Sequence, residues 1–289
     1  MKMGIMEGKT ALVAGYLGRL KNDKFIIGLG GYIAKYFAEE GANVIIIDLD
    51  AKIAKSCANH LGHTKIKAKA CDLLKDRTSE TKKYEEDGRV KTDVIWTDSP
   101  THELIKEIVD EYGRLDALVT NFDYFEKEKI LEMTEESYTK MRELNVMPVF
   151  HLLAAVREQF SAQTKTTGTF AKVVILTNMV GKAGLNMAAV YSSFKASMIG
   201  LTKNTAREFG RFANVNAVAM APLGAKDMQG PKERTKKVYA LITSTAMGNL
   251  SIMPEHITPL VGFLCSDGAA AITGQTISVD GGLWLKLEQ

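Results

Sequence analysis

The chain has no apolar run long enough to span a membrane, and residues 1–9 are too short and too polar for a secretory signal, so a cytoplasmic protein is expected. Cysteine is scarce: Cys57, Cys71 and Cys265 stand far apart, without a CxxC or Cys/His spacing, which argues for reduced thiols and against a metal site. Neither sign of charge dominates. Lys and Arg number 37 against 34 Asp and Glu, a net +3, and no basic tract of the kind that grips nucleic acid occurs. Internal repeats and a Pro/Gly-rich linker are also lacking. What is present is 46% hydrophobic residues over 289 positions, ample for the core of one large α/β domain or two small ones.

Those apolar residues come in short runs alternating with helical patterns. Thr10 to Gly15 reads as a buried strand ending on glycine. A helix follows from Gly30, with Ile33, Ala34, Phe37 and Ala38 on its inner face, and residues 44–48 form an apolar strand ending in Asp48. This is a βαβ unit. Gly28 and Gly30 at the helix start would present backbone N–H groups to a pyrophosphate, and Gly15 closes the preceding strand. Asp48, eighteen residues after Gly30, is placed to accept from an adenosine ribose and to repel a 2′-phosphate, favouring NAD over NADP; the plainer alternative is an acid that ends a strand. Asp50 suits the cap of the next helix.

Further strands are expected at 67–71, closed by Asp72-Leu73, and at 115–120, 172–177, 215–219 and 276–279. Helices are expected from Ser99-Pro100 to Tyr112, over 138–160 as one long helix containing Asn145, over 191–209 and over 257–264. The charged stretch 74–100 breaks this rhythm. Asp87-Gly88, flanked by 82–86 and 89–92, predicts a hairpin arm. The alternation predicts a Rossmann-type doubly wound parallel sheet with helices on both faces, an extended glycine loop and a protruding arm after the third strand.

Tyr191 and Lys195 stand four apart, on one helix face, so an ammonium sits beside a phenol. A fixed cation stabilises phenolate, which could then exchange protons with an alcohol or ketone near neutral pH. The pair alone is common on solvated helix faces. Its weight comes from what surrounds it.

In order along the chain stand Asp48, Asp72-Leu73, Glu111-Tyr112-Gly113-Arg114-Leu115-Asp116, Asn145, Tyr191 with Lys195, Val215-Asn216-Ala217-Val218-Ala219, and Thr273-Gly274-Gln275 through Asp280-Gly281-Gly282. Together they resemble the short-chain dehydrogenase/reductase family over nearly the whole of residues 1–289, read as one domain with insertions at about 16–27 and 75–98. The resemblance implies that Tyr191 is the acid/base, that Lys195 tunes it and holds the nicotinamide ribose, and that Asn145 positions a water. NAD is the cofactor so implied, bound through Gly15, Gly28, Gly30, Asp48, Asp72, Leu73 and Asn121, with hydride transfer to or from a secondary alcohol or ketone.

Four departures fall on the pockets. The family's TGxxxGxG loop is stretched: thirteen positions separate Gly15 from Gly28, and Arg19, Lys21 and Lys24 could wrap a pyrophosphate, or Leu20, Phe25, Ile26 and Ile27 could fill the adenosine groove. The Asn-Asn-Ala-Gly that normally ends the fourth strand reads Thr120-Asn121-Phe122-Asp123, adding bulk and a negative charge. The catalytic serine position holds Asn178. The usual Pro-Gly pair becomes Met220-Ala221-Pro222-Leu223-Gly224. These changes favour a non-catalytic subunit in a tetramer-like oligomer with a homologous active partner, similar in kind to the inactive subunit of heteromeric hydroxyacyl-CoA dehydrogenases such as that of anaerobic toluene (benzylsuccinate) breakdown. The alternative is an active alcohol dehydrogenase or ketoreductase with remodelled loops. Contacts through 138–160, 191–209 and the tail 283–287 with Trp284 are then expected, and the cluster Lys226, Lys232, Arg234, Lys236 and Lys237 could meet a CoA thioester or be a solvated helix face.

Overall fold

In the computed structural model, which describes residues 4–75, 78–86, 88–223, 246–247, 250–283 and 285, the short apolar runs assemble into a seven-stranded parallel sheet. Its order is β11-β10-β9-β8-β1-β4-β5, from β1 (Thr10–Ala14), β4 (Asn43–Ile47), β5 (Ile66–Ala68), β8 (Ala117–Thr120), β9 (Ala171–Asn178), β10 (Ala213–Met220) and β11 (Thr276–Val279). The central strands are buried on both faces, which is why they read as largely apolar runs, with Asn214 and Asn216 as buried polar exceptions in β10. Helices cover each face. α3 (Pro100–Tyr112), α4 (Glu135–Asn145), α5 (Met147–Thr167) and α7 (Ala189–Glu208) enclose a core around Leu118, Ile175, Leu152 and Phe160. On the other side α1 (Leu29–Glu39), α2 (Ala51–Leu61) and the last helix, α8 (Pro254–Leu264), close over Val13, Ile46, Phe37 and Val261.

The reversal of strand order lies between β1 and β8, so the carboxyl ends of these strands face the crevice where α/β proteins of this topology hold ligands. Asp50 caps α2 as expected, accepting from Lys52 N at 2.8 Å. Ser99 occupies the N-cap of α3, but its hydroxyl turns to Thr101 Oγ1 and His102 Nδ1 rather than to a backbone N–H.

The long helix expected over 138–160 is two helices. Pro148 cannot donate to the carbonyl four residues back, and the Asn145 side chain bonds the Tyr124 backbone outside the helix as well as the Met141 carbonyl within it, so α4 stops at Asn145 and α5 starts at Met147. The expected arm forms an antiparallel pair, β6 (Thr78–Glu86) with β7 (Arg89–Asp98); Glu86 lies opposite Arg89, and Gly88 takes φ 69° as a two-residue turn requires.

The insertion at 16–27 is a second small hairpin, of β2 (Gly18–Lys21) and β3 (Lys24–Ile27), turning through Asn22 and Asp23, both at positive φ. Arg19 pairs with Ile26 and Lys21 with Lys24, so these four share one face; Leu20 and Phe25 share the other, and the Phe25 ring lies 5.4 Å from that of His60 on α2. Gly224, the basic cluster 226–237, Trp284, Lys286 and Leu287 lie outside the described residues; Leu283 is buried and Leu285 exposed.

Candidate active site

A cleft of about 210 Å³ runs along the carboxyl ends of the central strands, from the glycine turn (Tyr16, Gly28, Leu29) past Asn121 and Asp123 to Asn178 and Tyr191. The turn is tight enough to need its glycines. Gly15 takes φ 89°, a Cβ on Gly28 would stand 2.4 Å from Tyr16 O, and one on Gly30 would stand 2.4 Å from Gly15 O. Gly15 and Gly30 therefore shape the cleft from behind, while Gly28 lines it.

Tyr191 and Lys195 project from the first two turns of α7, 5% and 3% exposed. Lys195 Nζ lies 5.2 Å from the centroid of the Tyr191 ring and donates to Phe122 O at 2.7 Å. The Phe125 ring meets Tyr191 edge-on at 5.0 Å. Below the dyad, Thr177 Oγ1 donates to Lys195 O at 2.8 Å, and Gly181 on α6 (Val180–Ala183) lets that backbone approach, since a Cβ there would stand 2.6 Å from the Lys195 carbonyl carbon.

The first residue beyond the family's pattern is Asp123. Its Oδ1 accepts from Tyr191 OH at 2.6 Å and forms an ion pair with Lys195 Nζ at 2.9 Å. Sequence reasoning took Asp123 only as an added negative charge in the pocket. The signal that could have found this contact is its position: three residues past the end of β8, a side chain replaces the family's glycine beside the dyad. Tyr16 was also missed. Held at φ 45°, it lines the cleft, and burial and the Asp123 charge push its phenol up while Arg19 pulls it down. Arg19, Ile26 and Tyr32 complete that wall.

Asn178 lines the cleft, with Oδ1 accepting from Val180 N at 3.1 Å, so its amide N–H₂ is the group left to meet a substrate oxygen. Asn121 is 1% exposed and lines the cleft, and its Nδ2 has no hydrogen-bond partner among the described residues. Asn145 stands behind the site: Oδ1 accepts from Tyr124 N at 3.0 Å, and Nδ2 donates to Tyr124 O and Met141 O, each at 2.8 Å. It fastens the end of α4 to the segment that carries Asp123.

Asp48, Asp72 and Leu73 do not line this cleft. Asp48 Oδ2 accepts from Leu17 N at 3.0 Å and Oδ1 from Asp50 N at 3.4 Å; burial raises its carboxyl above the ordinary range against these backbone donors. Asp72 borders a separate acidic hollow with Leu49, Glu103 and Glu107, and its Oδ1 accepts from Leu74 N and Lys75 N. Leu73 is buried, and its carbonyl meets His151 Nδ1 at 2.8 Å. The residues fit a dinucleotide at the glycine turn and at the unpartnered Asn121 amide, both of which front the cleft. Among the described residues no group of three or more His, Cys, Asp or Glu could hold a metal ion, and no helix is long and apolar enough to cross a membrane.

This sheet order with a Tyr/Lys dyad at the switch point defines a dehydrogenase-type α/β protein, and comparison with known proteins gives its family. A family model described as enoyl-(acyl carrier protein) reductase matches residues 53–284. Sorbitol dehydrogenase of Cereibacter sphaeroides is 27% identical, over 97% of this chain and 99% of its own length. The 3-oxoacyl-(acyl-carrier-protein) reductase of Staphylococcus aureus is 30% identical, over 89% and 94%. Among solved structures, a 3-ketoacyl-(acyl-carrier-protein) reductase from Brucella melitensis complexed with NADH superposes with a TM-score of 0.75 at 23% identity, over 96% of this chain and 99% of that one. The chain belongs to the short-chain dehydrogenase/reductase family.

Proposed function

We propose that residues 1–289 act as one catalytic domain, an NAD(H)-dependent oxidoreductase that interconverts a secondary alcohol and a ketone in its own cleft. The observation that carries this reading is the cleft itself: it joins the glycine turn to the Tyr191 hydroxyl, with Asn121 and Asn178 between. When bound, NAD supplies the hydride acceptor. Tyr191 takes the hydroxyl proton as the alcohol becomes a ketone and returns it in the reverse direction. Lys195 lends positive charge beneath the phenol and is placed to hold the ribose, and the Asn178 amide donates to the reacting oxygen in place of a serine. Gly15, Gly28 and Gly30 keep the turn open to a pyrophosphate. Asp48, outside the cleft lining and with both oxygens on backbone N–H groups, would favour NAD over NADP through its charge alone.

The names of the relatives point to two substrate classes, sugar alcohols with their ketoses and 3-oxoacyl thioesters. Following NADH absorbance with both classes tests the proposal. Turnover by the purified chain, lost in Tyr191→Phe, is the expected result; no turnover with any member of either panel would argue against it.

A second reading, a non-catalytic subunit paired with a homologous active partner, is favoured by one observation, that Asp123 occupies both members of the dyad. Under that reading the activity of a co-purified complex would survive Tyr191→Phe in this chain. Either reading involves oligomers, for which the exposed Tyr138 and Phe150 on α4 and α5 provide apolar contacts, and light scattering of the purified chain would report the assembly.

A further inference from the structure

We infer that Asp123 is an intramolecular latch on the Tyr191/Lys195 dyad, a carboxylate that holds the hydrogen-bonding positions a cofactor ribose and a substrate oxygen must take, and that binding in the cleft requires its release. The inference rests on the proposed nicotinamide site.

One oxygen, Oδ1, satisfies both partners, Tyr191 OH at 2.6 Å and Lys195 Nζ at 2.9 Å. Lys195 is 3% exposed and already gives a second proton to Phe122 O, so Asp123 supplies the anion that this buried ammonium otherwise lacks among the described residues. The Asp123 side chain is 35% exposed and lines the cleft, so the carboxylate reaches the dyad from the open side, where an incoming ligand also arrives. The charged and titratable groups facing it are Tyr191 and Lys195 from α7 and Tyr16 from the glycine turn, with Arg19 on β2 acting on the same Tyr16 hydroxyl. A bound ribose diol can take over the bond to Lys195, and a substrate oxygen the bond to Tyr191. Asp123 is thus a positioning residue that acts through the dyad. Its backbone neighbour Tyr124 is pinned by Asn145, so the displacement falls on the side chain.

A latch closed in nine molecules of ten weakens apparent affinity about tenfold, because only the competent fraction binds. The test is NADH titration of the full chain by calorimetry, comparing wild type with Asp123→Asn, which keeps the shape and removes the charge, and Asp123→Ala, which removes both. Thermal melts confirm folding, and the near-isosteric Asn variant carries the test if the Ala variant does not fold. Both substitutions are expected to tighten NADH binding by about tenfold or more. Unchanged or weaker binding overturns the latch. If none of the three proteins binds NADH, the proposed cofactor site fails, and ultraviolet tyrosine titration then decides the latch separately. In Asp123→Asn the Tyr16 and Tyr191 phenols should both ionise at lower pH than in wild type, and adding Tyr191→Phe should leave only the Tyr16 part of that signal; titrations that match wild type, or a shift that Tyr191→Phe leaves undiminished, overturn the inference.

Discussion

At the scale of single residues, the site is governed by what surrounds one phenol. Tyr191 has the Lys195 ammonium beneath it, the Phe125 edge beside it and the Asp123 carboxylate on its hydroxyl. Replacing Tyr191 by Phe leaves the packing and removes the proposed proton donor, so kcat should fall by about 10²-fold or more with the melting temperature little changed. Parallel turnover assays and thermal melts check this. Gly181→Ala probes the same site from behind. Its new Cβ would meet the Lys195 and Ala196 backbone at 2.6–2.7 Å, contacts that cannot rotate away, and overpacking of this kind costs about 1–3 kcal/mol. Urea unfolding should show that loss, and the displaced start of α7 should lower activity further than the stability change alone explains. The grouping of Tyr191, Lys195 and Asn178 was legible in the sequence because their order along the chain places them together, whereas Asn145, expected to position a water, spends its amide on the backbone of Tyr124 and Met141. The Asp123 contact was not, since it depends on how the chain turns after β8.

At the scale of elements, the two places where sequence reasoning stopped have simple physical causes. Residues 16–27 mix cations and apolar groups, and one-dimensional reading offered two uses for them; antiparallel pairing allows both, because alternation puts Arg19, Lys21 and Lys24 on one face and Leu20 and Phe25 on the other. The turn between these strands holds Asn22 at φ 49° and Asp23 at φ 58°, a conformation that favours Asn-Gly. Asp23→Gly should therefore stabilise the protein, by up to about 1 kcal/mol, and raise the melting temperature without affecting the cleft. The break between α4 and α5 is the second place. Helical periodicity runs straight through 138–160, and only the side-chain bonds of Asn145 and the missing donor of Pro148 end the first helix. The seven strands of the main sheet, in contrast, were readable from their apolar runs to within a few residues.

At the scale of the whole molecule, one carboxylate links stability to pH. Glu126 sits between Ser137 and Tyr124 with Lys140 beside it, and hydrogen bonds from these three hold its carboxyl down at about 2. A group held below its ordinary 4.5 contributes stability above that value and loses it as pH falls towards 2. Glu126→Gln should thus be less stable at neutral pH, and the difference from wild type should close between about 4.5 and about 2 in an acid-unfolding series. The seven-stranded sheet and family membership support NAD(H) use, and we propose that this chain binds the dinucleotide at its glycine turn and presents it to Tyr191. Calorimetric titration of the purified chain with NADH, beside the Gly28→Ala variant whose Cβ would collide with Tyr16 O, tests that most directly. Saturable binding to the wild type that Gly28→Ala abolishes is the predicted result; a folded wild type that shows no binding at millimolar NADH would contradict it.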